Sequence, residues 1–176
     1  DLHSFPTRRS SDLHIDYIDI LRKQPVVRWA TRYGKELRTP RGAIYGPKVM
    51  IINEGAGSGG DLLPWMFRKA QLGPIVGTRT WGGLVGNLEI HTLLDGGTIT
   101  APNIAGWSPE DGWIVENEGV PPDVEVEETP QSLLAGRDPQ LQKAIELAMQ
   151  ALKKQPPAEP KHPAYPNRVS PASATR

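Results

Sequence analysis

The chain has 176 residues, a formal net charge of +0 and no cysteine. This length suits one domain, and balanced charge argues against a nucleic-acid-binding surface, which needs a basic face. No apolar run reaches the roughly 20 residues that span a bilayer, and the lack of cysteine excludes disulfides and thiolate metal sites. We therefore expect no nucleic-acid partner, no membrane partner, no cofactor and no metal.

Composition divides the chain into three parts. Residues 3–13 (HSFPTRRSSDL) resemble one translated reading frame of a common short-read sequencing adapter. The alternative is a genuine basic, serine-rich leader such as a transit peptide. On the first interpretation, residues 1–13 are an artefact and the natural protein continues upstream. Residues 14–155 then hold the folded part, and residues 156–176 form a proline-rich tail that is extended or disordered.

The first half of the folded part predicts a helix, a strand, a loop and a buried strand in that order. Residues 14–24 have a short helical pattern that Pro25 helps to end. Residues 26–33 predict a strand, and the glycines and prolines of residues 34–47 predict a loop. The β-branched apolar run at residues 48–53 is typical of a buried strand in a parallel sheet.

Two glycine-rich turns alternate with regular elements in the middle of the chain. The first, at residues 55–60, precedes a helix predicted over residues 61–70, with Pro64 in its first turn. Residues 75–77 predict a second buried strand, and residues 82–86 form the other glycine-rich turn. The fold class expected from this order is α/β.

The last part predicts short strands and one clear helix. The strands are expected at residues 88–93, 98–101, 113–116 and 124–126, and a turn at residues 95–97 joins the first two as a hairpin. Residues 138–154 predict a helix that Asp138 caps and Pro139 begins. Its expected apolar stripe consists of Leu141, Ile145, Ala148, Met149 and Leu152.

Ser58 is the candidate nucleophile. It lies between Gly57 and Gly59, where the predicted buried strand turns into a helix, and small neighbours let a substrate backbone approach closely. The N–H groups of Gly59 and Gly60 are expected to be free at the helix start, where they would bind developing negative charge. A helix cap or a phosphate-binding turn would use the same residues, so the spacing leaves these alternatives open.

A serine nucleophile needs a base, and the histidines of this chain offer none in a convincing position. His3 lies in the adapter-like segment, His14 at its edge and His162 in the tail. His91 lies in a predicted strand, where a surface or packing role is the commoner outcome. Lys69 falls on the far turns of the helix that follows Ser58. We therefore expect the base to lie upstream.

Carboxylates are the remaining candidate partners. Glu116 ends the predicted strand at residues 113–116, where it could orient a base through a hydrogen bond. An ordinary strand-end acid is the alternative. Asp61 and Glu54 flank the first glycine turn, and favourable charge at the helix start explains Asp61 without chemistry.

Three segments in order along the chain carry a family resemblance. They cover residues 53–61 (NEGAGSGGD), 77–86 (GTRTWGGLVG) and 115–126 (VENEGVPPDVEV). The match continues through residues 136–140 into the last helix. Together these segments resemble the tricorn protease family over about residues 14–155.

The resemblance implies a Ser-His-Ser-Glu tetrad on a crotonase-like and Clp-protease-like core, a β-β-α spiral. Ser58 is then the catalytic nucleophile, and the Gly59 N–H is an oxyanion donor. Glu116 is the glutamate of the tetrad, which supports the histidine through the second serine. The histidine, that serine and the other oxyanion glycine are expected upstream of His14.

The resemblance leaves one role unassigned and separates two branches. The family's acid that selects basic side chains falls within residues 32–41, where only Glu36 is acidic, and we do not transfer that role. The related C-terminal processing peptidases use a Ser-Lys dyad, whose lysine aligns near Gly82 or Gly83. No lysine is present there, so the resemblance favours the histidine-dependent branch.

The expected function is that of a serine peptidase that hydrolyses peptides or oligopeptides through an acyl-enzyme on Ser58. The chain is expected to be a C-terminal piece that is inactive alone, and the resemblance implies a cytoplasmic homo-oligomer at full length. The alternative is a non-catalytic ligand-binding module on a crotonase-like fold, and the upstream histidine discriminates the two. A crotonase-type acyl-CoA enzyme would need no serine at position 58, and the glutamate segment disfavours it.

Overall fold

A computed structural model of the chain describes residues 16–87, 90–156 and 160–165. The helices in this part are α1 (Tyr17–Arg22), α2 (Gly59–Lys69), α3 (Pro130–Leu134) and α4 (Pro139–Lys154). The strands are β1 (Val27–Trp29), β2 (Leu37–Thr39), β3 (Met50–Ile52), β4 (Ile75–Gly77), β5 (Ile90–Thr92), β6 (Thr98–Thr100), β7 (Trp107–Ser108), β8 (Gly112–Trp113) and β9 (Val124–Glu125). The mixed α/β class is as expected.

A three-stranded parallel sheet, in the order β3-β4-β9, forms the centre of the fold. Met50 pairs with Ile75, and Val76 pairs with Val124. Strands β3 and β4 are apolar and largely buried, as the sequence pattern predicted for residues 48–53, whereas Glu125 of β9 is exposed. Phe67 of α2 packs in the same core. The strands of this sheet therefore end at one common edge.

Strand β2 and helix α3 were not predicted from the sequence. The segment 34–47 was expected to be a loop, but β2 lies within it and pairs with β1 in antiparallel register. The sequence pattern hides this hairpin because all three residues of β2 are exposed and carry no alternation. The short helix α3 was also missed, although Thr129 and Ser132 form a capping box at its start.

Helix α2 begins two residues earlier than expected. The backbone oxygen of Ser58 already accepts hydrogen bonds from the N–H groups of Asp61 and Leu62, so the first helical residue is Gly59. Pro64 is consequently the sixth residue of the helix rather than a residue of its first turn, and that expectation was wrong. The earlier start places Ser58 directly at the N-cap.

Helix α4 confirms its predicted cap and part of its predicted face. The Asp138 carboxylate accepts a hydrogen bond from the Leu141 N–H at 2.8 Å, and the helix runs to Lys154. It packs against β3 and β4. Its buried residues are Gln140 and Ala144, whereas Ile145 and Met149 of the predicted stripe are exposed. The buried face is thus rotated relative to the predicted one.

The adapter-like segment lies outside the described residues, as does most of the tail. The described tail residues, 160–165, form no helix or strand. Within the described ranges, no helix is both long enough and apolar enough to cross a membrane.

Candidate active site

Ser58 occupies the turn between β3 and α2 in a strained backbone conformation. Its φ is 53° and its ψ is −113°, a combination that costs a non-glycine residue about 1–3 kcal/mol. The residue is exposed, and its hydroxyl makes no capping hydrogen bond although it stands at the N-cap. The helix-cap alternative therefore loses its main support, and a strand–turn–helix junction presents Oγ outward, as at a nucleophile elbow.

The N–H groups of Gly59 and Gly60, both predicted to be free at the start of α2, differ in their hydrogen bonding. The Gly60 N–H donates to the Gly57 oxygen at 2.8 Å, so the expectation for Gly60 was wrong. Because the tight turn places the Gly60 N–H against the Gly57 oxygen, this N–H is not free to bind an oxyanion. Among the described residues, none accepts a hydrogen bond from the Gly59 N–H. Gly59 is thus the donor beside Ser58 that is left for an oxyanion.

Asp61 holds the second glycine turn against the first. Its side chain is 0% exposed, and its two oxygens accept hydrogen bonds from Gly82 N–H (2.9 Å) and Gly83 N–H (3.1 Å). The Gly83 oxygen in turn accepts the Ser58 N–H at 2.9 Å. Favourable charge at the helix start, the explanation expected from the sequence, is therefore insufficient. The signal that could have identified Asp61 is an acid placed among the apolar residues of a buried helix.

Trp81 forms one wall beside the nucleophile. A Cβ at Gly57 or at Gly83 would lie 2.6 Å from the indole ring, so the ring rests directly on both glycines. The backbone N–H of Trp81 donates to the backbone oxygen of Ala56 at 2.8 Å. The side chain is nevertheless 72% exposed. Glycine is required at both positions because any side chain would displace the indole.

Glu116 lies in a turn rather than at a strand end, so the predicted strand over residues 113–116 was wrong. Strand β8 stops at Trp113, and Val115 and Asn117 both have positive φ values, 68° and 61°. This turn brings Oε2 of Glu116 to the N–H groups of Leu84 (2.6 Å) and Val85 (2.8 Å). The carboxylate is thereby fixed on the second glycine turn.

Ser58 and Glu116 line one cleft of about 920 Å³. The other lining residues come mostly from the second glycine turn and its surroundings: Trp81, Gly82, Gly83, Val85, Gly86, Asn87, Thr100, Pro102 and Asn117. None of these described lining residues is a histidine or a lysine. Among its described lining residues, the cleft therefore presents a hydroxyl and a carboxylate but no histidine or lysine.

The other candidates from the sequence lie elsewhere. His91 is an exposed residue of strand β5 and does not line the cleft. Lys69 pairs with Asp111, and Glu36 pairs with Arg28 at 2.8 Å. Among the described residues, no group of acidic, histidine or cysteine side chains could hold a metal ion.

A second cavity, of about 430 Å³, lies between β3 and α4. Its lining is almost entirely apolar. Its charged residues are Lys48, which donates to the Gly46 oxygen, and Asp138, which caps α4. It therefore presents no nucleophile and no free carboxylate.

Comparisons with known proteins show which sequences this chain is similar to. The sequence model of peptidase family S41 matches residues 15–126. The chain is 48% identical over 121 residues to tricorn protease homolog 1 of Streptomyces coelicolor, covering 69% of this chain and 11% of that protein. It is 44% identical over 114 residues to the tricorn protease of Thermoplasma acidophilum, covering 65% of this chain and 11% of that protein.

A solved structure has a fold similar to that of this chain. The crystal structure of the tricorn protease superimposes with a TM-score of 0.73 at 40% identity, covering 77% of this chain and 13% of that chain. The chain thus spans about a tenth of the length of these relatives. A family model that covers most of the described sequence, together with these relatives, shows that the chain belongs to peptidase family S41.

Proposed function

We propose that this chain carries the nucleophile of a serine peptidase and that Ser58 forms the acyl-enzyme. The observation that carries the proposal is the strained, exposed Ser58 whose hydroxyl makes no cap bond beside the unpaired Gly59 N–H. Oγ attacks the scissile carbonyl carbon, and its proton passes to a base. The Gly59 N–H stabilises the negative carbonyl oxygen. The base returns this proton to the amine as the C–N bond breaks, and water then hydrolyses the ester to release the acid and restore Ser58.

The base is a histidine that lies outside the described lining of the cleft. The similarity to tricorn proteases supports this assignment, because that resemblance implies a Ser-His-Ser-Glu tetrad. In the proposal the histidine is upstream in a longer natural protein, and a second serine connects it to Glu116. Glu116 is suited to such a role because backbone N–H groups bind Oε2, while Oε1 has no hydrogen-bond partner among the described residues.

The proposal extends to the longer protein. Residues 14–155 are the C-terminal part of the catalytic domain, on a crotonase-like and Clp-protease-like spiral, and residues 1–13 are an adapter artefact. The full protein hydrolyses peptides or oligopeptides as a cytoplasmic homo-oligomer, and this chain alone is inactive. Membership of peptidase family S41 does not favour the non-catalytic binding module.

The Ser58→Ala variant of the longer natural protein tests the proposal. Peptide hydrolysis should fall by about 10³-fold or more while the fold is retained, because the nucleophile is lost. Ser132→Ala is the matched control, since it removes a hydroxyl at the start of α3, outside the cleft. Retained turnover in Ser58→Ala would reject the assignment.

A further inference from the structure

Trp81 is a large aromatic residue that is exposed inside the cleft of Ser58. The structure describes all five tryptophans of the chain, and Trp81 is the one that lines this cleft. Trp113 is exposed to a similar degree, 76% against 72%, but it lies on the hairpin of β7 and β8 outside the cleft. Aromatic side chains that line a concave site are typical of ligand binding, because they offer a large apolar surface. A molecule bound beside Ser58 would therefore meet the indole of Trp81.

The backbone that carries the indole is held on both sides of residue 81. Thr80 is buried, and its N–H donates to the Val120 oxygen at 3.1 Å while its hydroxyl oxygen accepts the Val120 N–H at 2.7 Å. On the other side, the Gly82 N–H donates to the buried Asp61 carboxylate at 2.9 Å. A surface that is already ordered loses little conformational freedom when a ligand binds. Trp81 is thus an exposed side chain on a well-fixed backbone.

The indole lies next to the nucleophile. Its six-membered ring rests on Gly57 and Gly83, since the ring atoms nearest to a Cβ at either glycine are Cε3 and Cζ3. Gly57 directly precedes Ser58, and the Gly83 oxygen accepts the Ser58 N–H at 2.9 Å. A substrate side chain that packs on the exposed part of the indole therefore belongs to a residue close to the scissile bond.

The described lining of the cleft around Trp81 favours an uncharged side chain. Val85 and Pro102 are apolar, and Glu116 is the one charged residue among the described lining residues. Oε2 of Glu116 already accepts two backbone N–H groups. None of the described lining residues carries a positive charge that would attract an acidic substrate. The indole is consequently the largest surface there that a substrate side chain can cover, and that surface is apolar.

We propose that Trp81 is a specificity-determining residue whose indole binds an aromatic side chain of the peptide substrate near the scissile bond. The inference rests on the proposed function for the ligand being a peptide, and it deepens that function by naming the class of side chain. Aromatic pairs gain from offset-stacked or edge-to-face contact in addition to the apolar area that they bury. Trp81 acts in binding and takes no part in the making or breaking of bonds.

Isothermal titration calorimetry on the full-length natural protein carrying Ser58→Ala measures this preference without hydrolysis. The probes are three acetylated pentapeptide amides whose central residue is phenylalanine, alanine or lysine, with two alanines on each side. The phenylalanine peptide should bind about tenfold more tightly than the alanine peptide. A lysine peptide that binds more tightly than the phenylalanine peptide would indicate a cation-binding site and would overturn the proposal.

Further substitutions in the same Ser58→Ala protein assign the preference to the indole. Trp81→Ala should reduce the preference for phenylalanine over alanine to about twofold or less, whereas Trp81→Phe keeps an aromatic ring and should retain most of it. Trp113→Ala removes an exposed tryptophan outside the cleft and should leave the preference unchanged. If Trp81 only supported the turn, Trp81→Ala would weaken all three peptides equally. That result, or no preference for the phenylalanine peptide, would overturn the proposal.

Failure of this inference and failure of the proposed function give different results. If Ser58 were not the nucleophile, chromatography of the titrated peptides would reveal their hydrolysis by the Ser58→Ala protein. If Trp81 did not contact the substrate, the peptides would stay intact and their relative affinities would not depend on residue 81. The two measurements are made on the same samples, so each claim is tested separately.

Discussion

Ser58 and Gly83 are joined through their backbones, since the Ser58 N–H donates to the Gly83 oxygen at 2.9 Å. This bond connects the strained nucleophile turn to the second glycine turn. Asp61 holds the N–H of the same Gly83, and Glu116 holds the next two N–H groups of that turn. The candidate nucleophile and the candidate glutamate are therefore positioned by one shared element, the turn that follows Trp81.

Replacement of Asp61 should lower both the free energy of unfolding and the peptidase activity. Asp61→Ala leaves the buried N–H groups of Gly82 and Gly83 without acceptors, which should lower the free energy of unfolding by about 2–4 kcal/mol. Urea denaturation measures this change. Glu125→Ala, which removes an exposed acid from β9, is the control and should cost well under about 1 kcal/mol. Equal losses in both variants would show that Asp61 does not hold the turn.

Two substitutions at Ser58 separate the strain of its backbone conformation from the catalytic role of its hydroxyl. Both Ser58→Gly and Ser58→Ala remove the hydroxyl, so neither should hydrolyse peptides. Because φ is 53° at this position, glycine relieves strain that alanine retains. Ser58→Gly should therefore be more stable than Ser58→Ala by about 1 kcal/mol, as measured by thermal denaturation. A glycine variant less stable than the alanine variant would contradict the strained conformation.

Two substitutions at Glu116 should separate the effect of its negative charge on activity from the effect of its hydrogen bonds on the turn. Glu116→Gln keeps one oxygen for the N–H groups of Leu84 and Val85 but removes the negative charge. In the longer natural protein, kcat should fall about 10²-fold with little change in stability. Glu116→Ala should lose the same activity and also about 1–3 kcal/mol of stability, since the N–H groups lose their acceptor. Full kcat in Glu116→Gln would exclude a charge-dependent role.

The hydrogen bond between Thr78 and Glu54 should be visible in an NMR titration of the carboxyl. The bond lowers the pKa of Glu54 below its ordinary value of 4.5. A pKa lowered by folding adds stability above the unfolded value, and this stability is lost as pH falls through the folded value. In Thr78→Val the pKa should rise toward 4.5, and Thr98→Val should leave it unchanged. An unaltered pKa in Thr78→Val would refute the bond.

The sequence predicted the elements whose pattern is strong. The β-branched run that became β3 and the capped, amphipathic α4 both have local signals, because burial and capping act through nearby residues. The glycines that flank Ser58 likewise predicted its position at a strand–turn–helix junction. Strand β1 lies within the strand predicted over residues 26–33, but β2 was missed because exposed strands need not alternate.

The contacts that complete the candidate site were not predictable because they join residues far apart in sequence. An acid in a buried helix indicates that Asp61 has a partner, but the local sequence does not show that the partners are the N–H groups of Gly82 and Gly83. The turn at Glu116 depends on positive φ values at Val115 and Asn117, and such a value is unusual for the β-branched Val115. Glu116 itself was identified only through the family resemblance, since spacing alone left an ordinary surface acid as an alternative.

Covalent labelling with a fluorophosphonate tests the central claim, that Ser58 is the nucleophile, most directly. In the longer natural protein, Oγ should displace fluoride from phosphorus, and peptide mass spectrometry should place the adduct on Ser58. The 176-residue chain alone should label poorly, because the described residues that line its cleft include no histidine or lysine to activate the hydroxyl. An adduct on a different serine of the longer protein, with Ser58 unmodified, would contradict the account.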